Sequence, residues 1–362
     1  MAVETRLIRL DPDAPEEALL AEAGAVIRAG GLVAFPTETV YGLGGDALNA
    51  ESSRRIYAAK GRPSDNPLIV HIARREDLAR VADASRIPET AWRLAEAFWP
   101  GPLTMVLWAD DCIPRQTTGG LDTVAVRFPS DRIAQGLIRA GGGFIAAPSA
   151  NRSGRPSPTT AAHCLEDLDG RVEMILDGGQ STIGLESTIV DLTEADGIVT
   201  ILRPGYVTRE ALAAVPGIAG VRLDPALEKQ TGVPDEVRPK APGMKYRHYA
   251  PKGALTIVMG DPMAVSQYIN TSISTARAAG KRTGVLASAE TSDGYAADLV
   301  CNIGARGDEE AAAHTLFGAL RACDEAGIEV ICAEAPGDGT SGLSAAVMNR
   351  LLKAAGYHVI KV

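Results

Sequence analysis

The sequence predicts two α/β domains in tandem, a mixed-sheet unit followed by a smaller unit with a parallel, doubly wound sheet. Three observations carry this. The chain has 362 residues, more than one hydrophobic core usually organises. Short apolar runs bounded by Gly and Pro alternate with stretches of helical length along most of it. The periodicity fades once, from 216 to about 252, in a segment rich in Pro, Gly and charge that has the composition of a linker. The expected domains are therefore 1–215 and 253–362, joined by 216–252.

In the first domain, residues 31–35, 68–72, 103–108, 123–127, 144–147 and 187–192 read as short strands. Helices are expected at 15–29, 50–60 (stopped by Gly61), 88–98, 131–140 and 159–168. Beyond the linker the order is strand 254–259, helix 262–279, strand 283–288, a strand near 297–301, helix 308–325, strand 328–334, helix 342–355 and strand 357–362. Strands alternating with helices of this length imply a parallel sheet.

Composition narrows the function classes. Apolar residues make up 46% and charged residues 22%, mixed in sign, as in ordinary globular protein. A formal charge of −9 argues against a surface that binds nucleic acid through general phosphate neutralisation. The five cysteines are odd in number and form no C-x-x-C pair, which suits reduced thiols rather than a disulfide framework or zinc site. The first ten residues carry acids and bases where a signal peptide needs an apolar stretch, and no later run reaches membrane-spanning length. A cytoplasmic protein with no membrane partner is the expectation.

Several segments can carry chemistry. Phe35-Pro36-Thr37-Glu38-Thr39-Val40-Tyr41-Gly42-Leu43-Gly44 runs from an apolar strand into a polar turn whose side chains can face a cleft, although a capped turn uses the same residues. Lys60-Gly61-Arg62-Pro63-Ser64-Asp65-Asn66-Pro67 sets two cations on a loop stiffened by prolines. Lys60 alone would suit a helix C-terminus; Arg62, held between Gly61 and Pro63, is better explained by an anionic ligand. His71 lies in an apolar strand, where a satisfied core histidine is the ordinary case. Arg127 ends a strand, where it is either a surface charge or a bidentate grip on a carboxylate. The loop Pro148-Ser149-Ala150-Asn151-Arg152-Ser153-Gly154-Arg155-Pro156-Ser157-Pro158-Thr159 offers many donors to phosphate and ribose. Gly184–Asp191 adds a hydroxyl-bearing turn, and Arg203 is pinned by Pro204.

Taken in order, Thr-Glu-Thr-Val-Tyr-Gly-Leu, Lys-Gly-Arg-Pro-Ser-Asp-Asn-Pro-Leu, Val-Ala-Val-Arg-Phe-Pro, Pro-Ser-Ala-Asn and Glu-Ser-Thr-Ile-Val-Asp closely resemble the threonylcarbamoyl-AMP synthase family built on the YrdC domain. The linker's Pro-Gly-Met-Lys-Tyr-Arg-His-Tyr-Ala-Pro and the α/β module after it resemble the longer, two-domain members, so the likeness covers almost the whole chain. Ala241 is one departure, standing where serine commonly precedes Pro-Gly-Met.

The resemblance implies a twisted mixed-sheet YrdC-like domain with a concave pocket, followed by a smaller Rossmann-like domain. It implies that L-threonine, bicarbonate and ATP become threonylcarbamoyl-AMP and pyrophosphate, with Mg2+, and that a separate complex transfers the product to tRNA next to the anticodon. Thr39, His71, Arg127, Ala147 and Ser187 match positions around threonine. Lys60, Arg62, Asn66, Thr123, Ser149, Asn151, Ser157 and Arg203 match positions around ATP. The linker would fold over the pocket and bring His248 or Tyr249 to the nucleotide; residues 238–252 hold five cations and no acid. Glu186 is the candidate for a metal or water contact.

No step of that reaction demands a protein nucleophile, so positioning and cationic stabilisation should dominate, with Lys60 and Arg62 as the catalytic groups. Two rivals stand beside it. Gly337-Asp-Gly339-Thr-Ser-Gly342 matches G-x-G-x-x-G and would suggest dinucleotide binding, yet no following strand supplies the acid for a ribose. A non-enzymatic RNA-binding or ribosome-assembly module is opposed by the acidic balance and by aromatics of only 4%.

Overall fold

The computed structural model describes residues 3–194, 196–228, 239–242, 249–337 and 339–362. The chain divides into two compact units, one of Met1–Ser153, Ser157–Thr182 and Glu186–Tyr246, the other of Gly154–Pro156, Ile183–Leu185 and Arg247–Val362. Composition places the two tripeptides in the first domain. They join the second unit because Ala250 N–H donates to the Gly154 carbonyl at 3.0 Å and the buried Arg321 donates to that of Pro156 at 2.7 Å.

The first unit begins β1 (Arg6–Arg9), α1 (Glu17–Arg28), β2 (Val33–Phe35), β3 (Gly42–Asp46), α2 (Ala50–Lys60) and β4 (Ile69–His71). It continues with α3 (Glu89–Phe98), β5 (Leu103–Trp108), β6 (Thr123–Arg127), α4 (Arg132–Ala140), β7 (Ile145–Ala147) and α5 (Ala161–Leu168). The remaining elements are β8 (Met174–Asp177), β9 (Thr188–Asp191), β10 (Ile198–Arg203), α6 (Arg209–Ala213), β11 (Gly220–Leu223) and α7 (Pro225–Glu228). The strands form one mixed sheet in the order β1-β8-β2-β3-β7-β4-β6-β5-β9-β10-β11. The expected linker is thus not wholly irregular: β11 pairs in parallel with β10.

Local chemistry sets the helix ends. The Asn49 side chain accepts from Glu51 N–H to start α2, and Gly61 ends it at φ 61°, the left-handed cap that glycine adopts without strain. Asp131 caps α4 by accepting from Ala134 N–H at 2.8 Å.

Alternation along the strands gives the sheet two unlike faces. One buries Ala34, Leu43, Val70, Met105, Val126, Ala146 and Val190 in the main core together with residues of α2, α3 and α5. On the other, Val33, Phe35, Ile145 and Ala147 pack with Ile27 of α1 and Leu137 of α4. Farther across this second face, Ile69, Val106, Ala125, Ile189 and Leu202 meet only a small apolar cluster completed by Ala241. That stretch holds the site.

The second unit contains β12 (Ala254–Met259), α8 (Pro262–Ala278), β13 (Thr283–Ala287), β14 (Leu299–Asn302), α9 (Glu309–Glu325), β15 (Val330–Glu334), α10 (Gly342–Ala354) and β16 (Val359–Lys361). Its sheet runs β14-β13-β15-β12-β16 and every pairing is parallel, as the regular alternation predicts. No helix among the described residues of the chain is long and apolar enough to cross a membrane.

Helices α1 and α4 approach closely enough to need glycine. A Cβ on Gly24 would lie 2.5 Å from the Ala140 backbone, whereas one on Gly136 would lie 2.4 Å from the movable end of Leu20. Glycine to alanine inside a helix ordinarily stabilises by up to about 1 kcal/mol. Here Gly24→Ala should destabilise instead, by about 1–3 kcal/mol because backbone must move, and by more than Gly136→Ala. Paired denaturant melts check the sign and the order.

Candidate active site

The polar row on the second face, buried throughout, follows from strand register. His71 on β4 is the partner of Arg127 on β6, and Arg127 is the partner of Thr104 on β5. The Thr104 and Ser187 hydroxyls are 2.7 Å apart, and Arg203 at the end of β10 donates Nε to the Ser187 carbonyl and Nη2 to its hydroxyl, both at 3.1 Å. Ala147 is the partner of Ile69, two residues before His71 on the same face. Thr39 sits in the buried turn between β2 and β3, its hydroxyl 2.9 Å from that of Thr37.

Charge is concentrated where this row meets the turn. Arg127 Nη2 lies 2.9 Å from Glu38 Oε1, and both side chains are more than nine-tenths buried. The contact is an ion pair without an aligned hydrogen bond: Arg127 Nε and Nη2 and both Glu38 oxygens have no hydrogen-bond partner among the described residues. The neighbours respond. Burial, reinforced by the Arg127 charge, pushes the His71 imidazole down to about 3. Its Nδ1 donates to the Ile69 carbonyl at 3.0 Å, so Nε2 is left as the acceptor nitrogen. Burial first, and the Glu38 charge further on, raises the Asp131 carboxyl to about 6.

The residues matched to ATP form a second group. Lys60 is buried at the end of α2, where its ammonium donates to the carbonyls of Ser149 and Asn151, and Asn151 Oδ1 lies 3.4 Å away. The Ser149 hydroxyl donates to that same Oδ1 at 2.5 Å, and Ser153 N–H returns to the Lys60 carbonyl at 2.9 Å. The lysine thus organises the loop that follows β7. Arg62 donates to the carbonyls of Asn66 at 3.2 Å and Pro67 at 3.0 Å, which holds its own loop closed. Asn66 is buried, its Oδ1 without a hydrogen-bond partner among the described residues, and Thr123 opens β6 opposite Trp108. Ser157 donates to Glu186 Oε1, the carboxylate next to Ser187.

Tyr249 belongs to the second unit, where its ring lies 5.1 Å from that of Phe317, and His248 lies outside the described residues. Of the linker, Lys240 pairs with Asp191 at 2.9 Å, Ala241 is buried against the second sheet face, and the Pro242 carbonyl accepts from Arg203 at 3.4 Å. Met244, Lys245 and Arg247, expected to close over the pocket, lie outside the described residues. Around Glu186 no cluster of three or more metal-binding side chains forms among the described residues. A single carboxylate fits a cation held chiefly by substrate phosphates, the usual arrangement for magnesium.

Sequence reasoning gave no role to Glu38, Thr104 and Asp131. Glu38 was legible as the acid inside Thr-Glu-Thr, and Thr104 as the polar residue flanked by Leu103 and Met105 in a buried strand. Asp131 reads as a helix cap, which it is.

The G-x-G-x-x-G of the second unit resolves on geometry. Gly337, Gly339 and Gly342 all have positive φ, and a Cβ on Gly337 would lie 2.5 Å from Ser344 Oγ. At the start of α10 the Ser344 N–H already donates to the Glu309 carboxylate at 2.9 Å. An internal anion therefore occupies the position a pyrophosphate needs, and the glycines serve close packing.

A buried arginine and a row of hydroxyls on one face of a mixed sheet, with a loop organised by Lys60 in the same unit, make up a candidate small-molecule site on an α/β scaffold. Residues 25–205 match the Sua5/YciO/YrdC family described as telomere recombination, and residues 207–356 match the threonylcarbamoyl-AMP synthase C-terminal domain. A threonylcarbamoyl-AMP synthase of Pyrococcus abyssi is 49% identical over 96% of this chain and 97% of its own. One from Bacillus subtilis is 46% identical over 94% of each. The structure of P. abyssi Sua5 complexed with L-threonine superposes with TM-score 0.89 at 48% identity, covering 99% of both chains. The chain belongs to the threonylcarbamoyl-AMP synthase family in its two-domain form.

His71 should remain neutral in the folded protein from pH 7.5 down to about 4.5, because its imidazole is held near 3. Unfolded histidine titrates near 6.5, so between about 6.5 and 3 the unfolded chain binds the extra proton. Stability is intact above that window and falls by about 1.4 kcal/mol per pH unit as acid is added within it. Imidazole nitrogen shifts across this range check it; a protonated ring at pH 5.5 would contradict the burial.

Proposed function

We propose that this chain makes threonylcarbamoyl-AMP from L-threonine, bicarbonate and ATP, releasing pyrophosphate and supplying the threonylcarbamoyl mark of tRNA. The observation that carries the reading is Arg127, whose side-on Nε and Nη2 pair is buried without an aligned acceptor among the described residues, on the face that also bears His71, Thr104 and Ser187. A guanidinium presents that edge to a carboxylate as two parallel hydrogen bonds. The Thr104 and Ser187 hydroxyls, with Thr39 from the turn, suit recognition of a substrate hydroxyl, which rejects analogues lacking it better than an apolar pocket does.

The Lys60, Ser149, Asn151 and Ser157 group, with Arg62 and Arg203, is the proposed ATP side. The threonine amine attacks the bicarbonate carbon with loss of water to give the carbamate, and a carbamate oxygen then attacks the α-phosphorus as pyrophosphate departs. Two anions must meet, so orientation and cationic stabilisation are the protein's main contributions. Magnesium bound to the ATP phosphates would supply further charge neutralisation, with Glu186 the proposed protein contact. The setting would be the cytoplasm, with hand-over of the adenylate to a separate tRNA-modifying complex. An RNA-binding role finds no support in an acidic chain with few aromatics.

Mass spectrometry should detect threonylcarbamoyl-adenylate after the protein is mixed with ATP, magnesium, bicarbonate and threonine; equal pyrophosphate release without threonine or bicarbonate would refute the reaction. Arg127→Ala should raise the threonine KM at least about tenfold while leaving that for ATP within a few-fold. Lys60→Ala and Arg62→Ala should instead reduce kcat about tenfold or more, the scale of losing one charge-stabilising donor. Steady-state kinetics in both substrates separate the two groups.

A further inference from the structure

We propose that Glu38 and Arg127 form a clamp for the substrate zwitterion, Arg127 taking the α-carboxylate and Glu38 the α-ammonium, so that Glu38 selects an amino acid over a hydroxy acid. The proposal rests on the threonine reading above and extends it to a residue of the Thr37-Glu38-Thr39 turn.

The two groups lie 2.9 Å apart with 5% and 8% of their side-chain surface exposed, yet neither Glu38 oxygen nor Arg127 Nε or Nη2 has an aligned hydrogen-bond partner among the described residues. Burying opposite charges at this distance is costly unless hydrogen bonds also satisfy their remaining atoms. A ligand bearing its own pair of opposite charges, one carbon apart, meets both needs at once. With its carboxylate on the Nε and Nη2 edge, its ammonium falls beside the acid that already neighbours Nη2.

The surroundings favour that occupant. The turn is fixed: Thr37 donates its hydroxyl to the Val40 carbonyl at 2.6 Å, and Thr182 donates to the Glu38 carbonyl at 3.3 Å. His71, the register partner of Arg127, stays neutral and brings no competing cation. Asp131 lies close enough to Glu38 and Arg127 to feel both charges, so two carboxylates stand near Arg127. A bare carboxylate ligand would add to that negative charge; a zwitterion leaves it unchanged.

The alternative, that Glu38 is only a counter-ion to Arg127, predicts the opposite sign. A substrate carboxylate would then displace Glu38, and removing its charge would tighten binding. Calorimetric titration of the full chain with L-threonine, and with the α-hydroxy analogue in which a hydroxyl replaces the ammonium, decides between them. The wild type should prefer threonine at least about tenfold, and Glu38→Gln should weaken threonine at least about tenfold. The analogue's affinity in Glu38→Gln should be unchanged or raised, and ATP affinity should not move. Threonine binding as tight as wild type or tighter in Glu38→Gln overturns the clamp, as does equal affinity of the wild type for both ligands, which decides the matter even if the variant does not fold. A wild-type chain that binds no threonine overturns the functional reading itself.

Discussion

The site depends on one constraint: a guanidinium buried in the face of a β-sheet. Arg127 is 4% exposed, and a charge so placed must be answered locally, because little water reaches it. Glu38 answers it from the neighbouring turn, and the two charges then govern the groups around them. The imidazole beside Arg127 is held neutral, so it can accept a hydrogen bond but carries no charge. The Asp131 carboxyl, facing Glu38, is held toward its protonated form relative to an ordinary aspartate. Removing either member of a buried pair typically costs about 3–5 kcal/mol, since the other is stranded. The turn and the strand end are therefore coupled in stability as well as in chemistry.

Such a charge can sit there only because the sheet divides its second face. Where Val33, Phe35 and Ile145 lie, the face is closed by α1 and α4, whose Gly24 and Gly136 let them approach one another. Farther across, the side chains shorten and gain polarity: Ala125, Arg127, Thr104, Ser187. The strand register does the assembling. A slip of one residue on β6 would send Ala125 and Arg127 into the main core and bring Val124 and Val126 to the site in their place. The apolar neighbours that fix the register are thus as necessary to the site as the polar residues themselves.

Much of this was legible in the sequence. Apolar periodicity located β4 to β7 and β9 within about one residue and the elements of the second unit within about two, because the strands are short β-branched or aliphatic runs and the helices between them are regular in length. Other strands were hidden for identifiable reasons. β3 reads Gly-Leu-Gly-Gly-Asp, a poor strand by propensity, yet its glycines make room: a Cβ on Gly44 would lie 2.8 Å from Ile145 and 2.9 Å from Phe35. β1 is a half-polar edge strand, Arg-Leu-Ile-Arg, with no buried face to pattern it. Among site residues, the ordered motifs pointed to Arg127, His71 and Ser187, which the fold does bring to one face. Glu38 needed the third dimension, because nothing in its spacing from residue 127 reveals that the two meet.

The cations of the Lys-Gly-Arg-Pro segment illustrate a further limit of one-dimensional reasoning. Both attract attention as ligands for phosphate, but within the chain they hold backbone carbonyls: Lys60 those of Ser149 and Asn151, Arg62 those of Asn66 and Pro67. Two carbonyls and Asn151 Oδ1 match all three donors of Lys60, so what it offers a phosphate is its charge. An ammonium has three donors and a guanidinium five, and a carbonyl neutralises no charge. A cation anchored by carbonyls keeps its full positive field while losing the freedom of its long side chain, which costs up to about 2 kcal/mol when it must be ordered at binding. The loops closed by Lys60 and Arg62 therefore present pre-positioned charge, and that is the property a reaction between two anions requires of its protein.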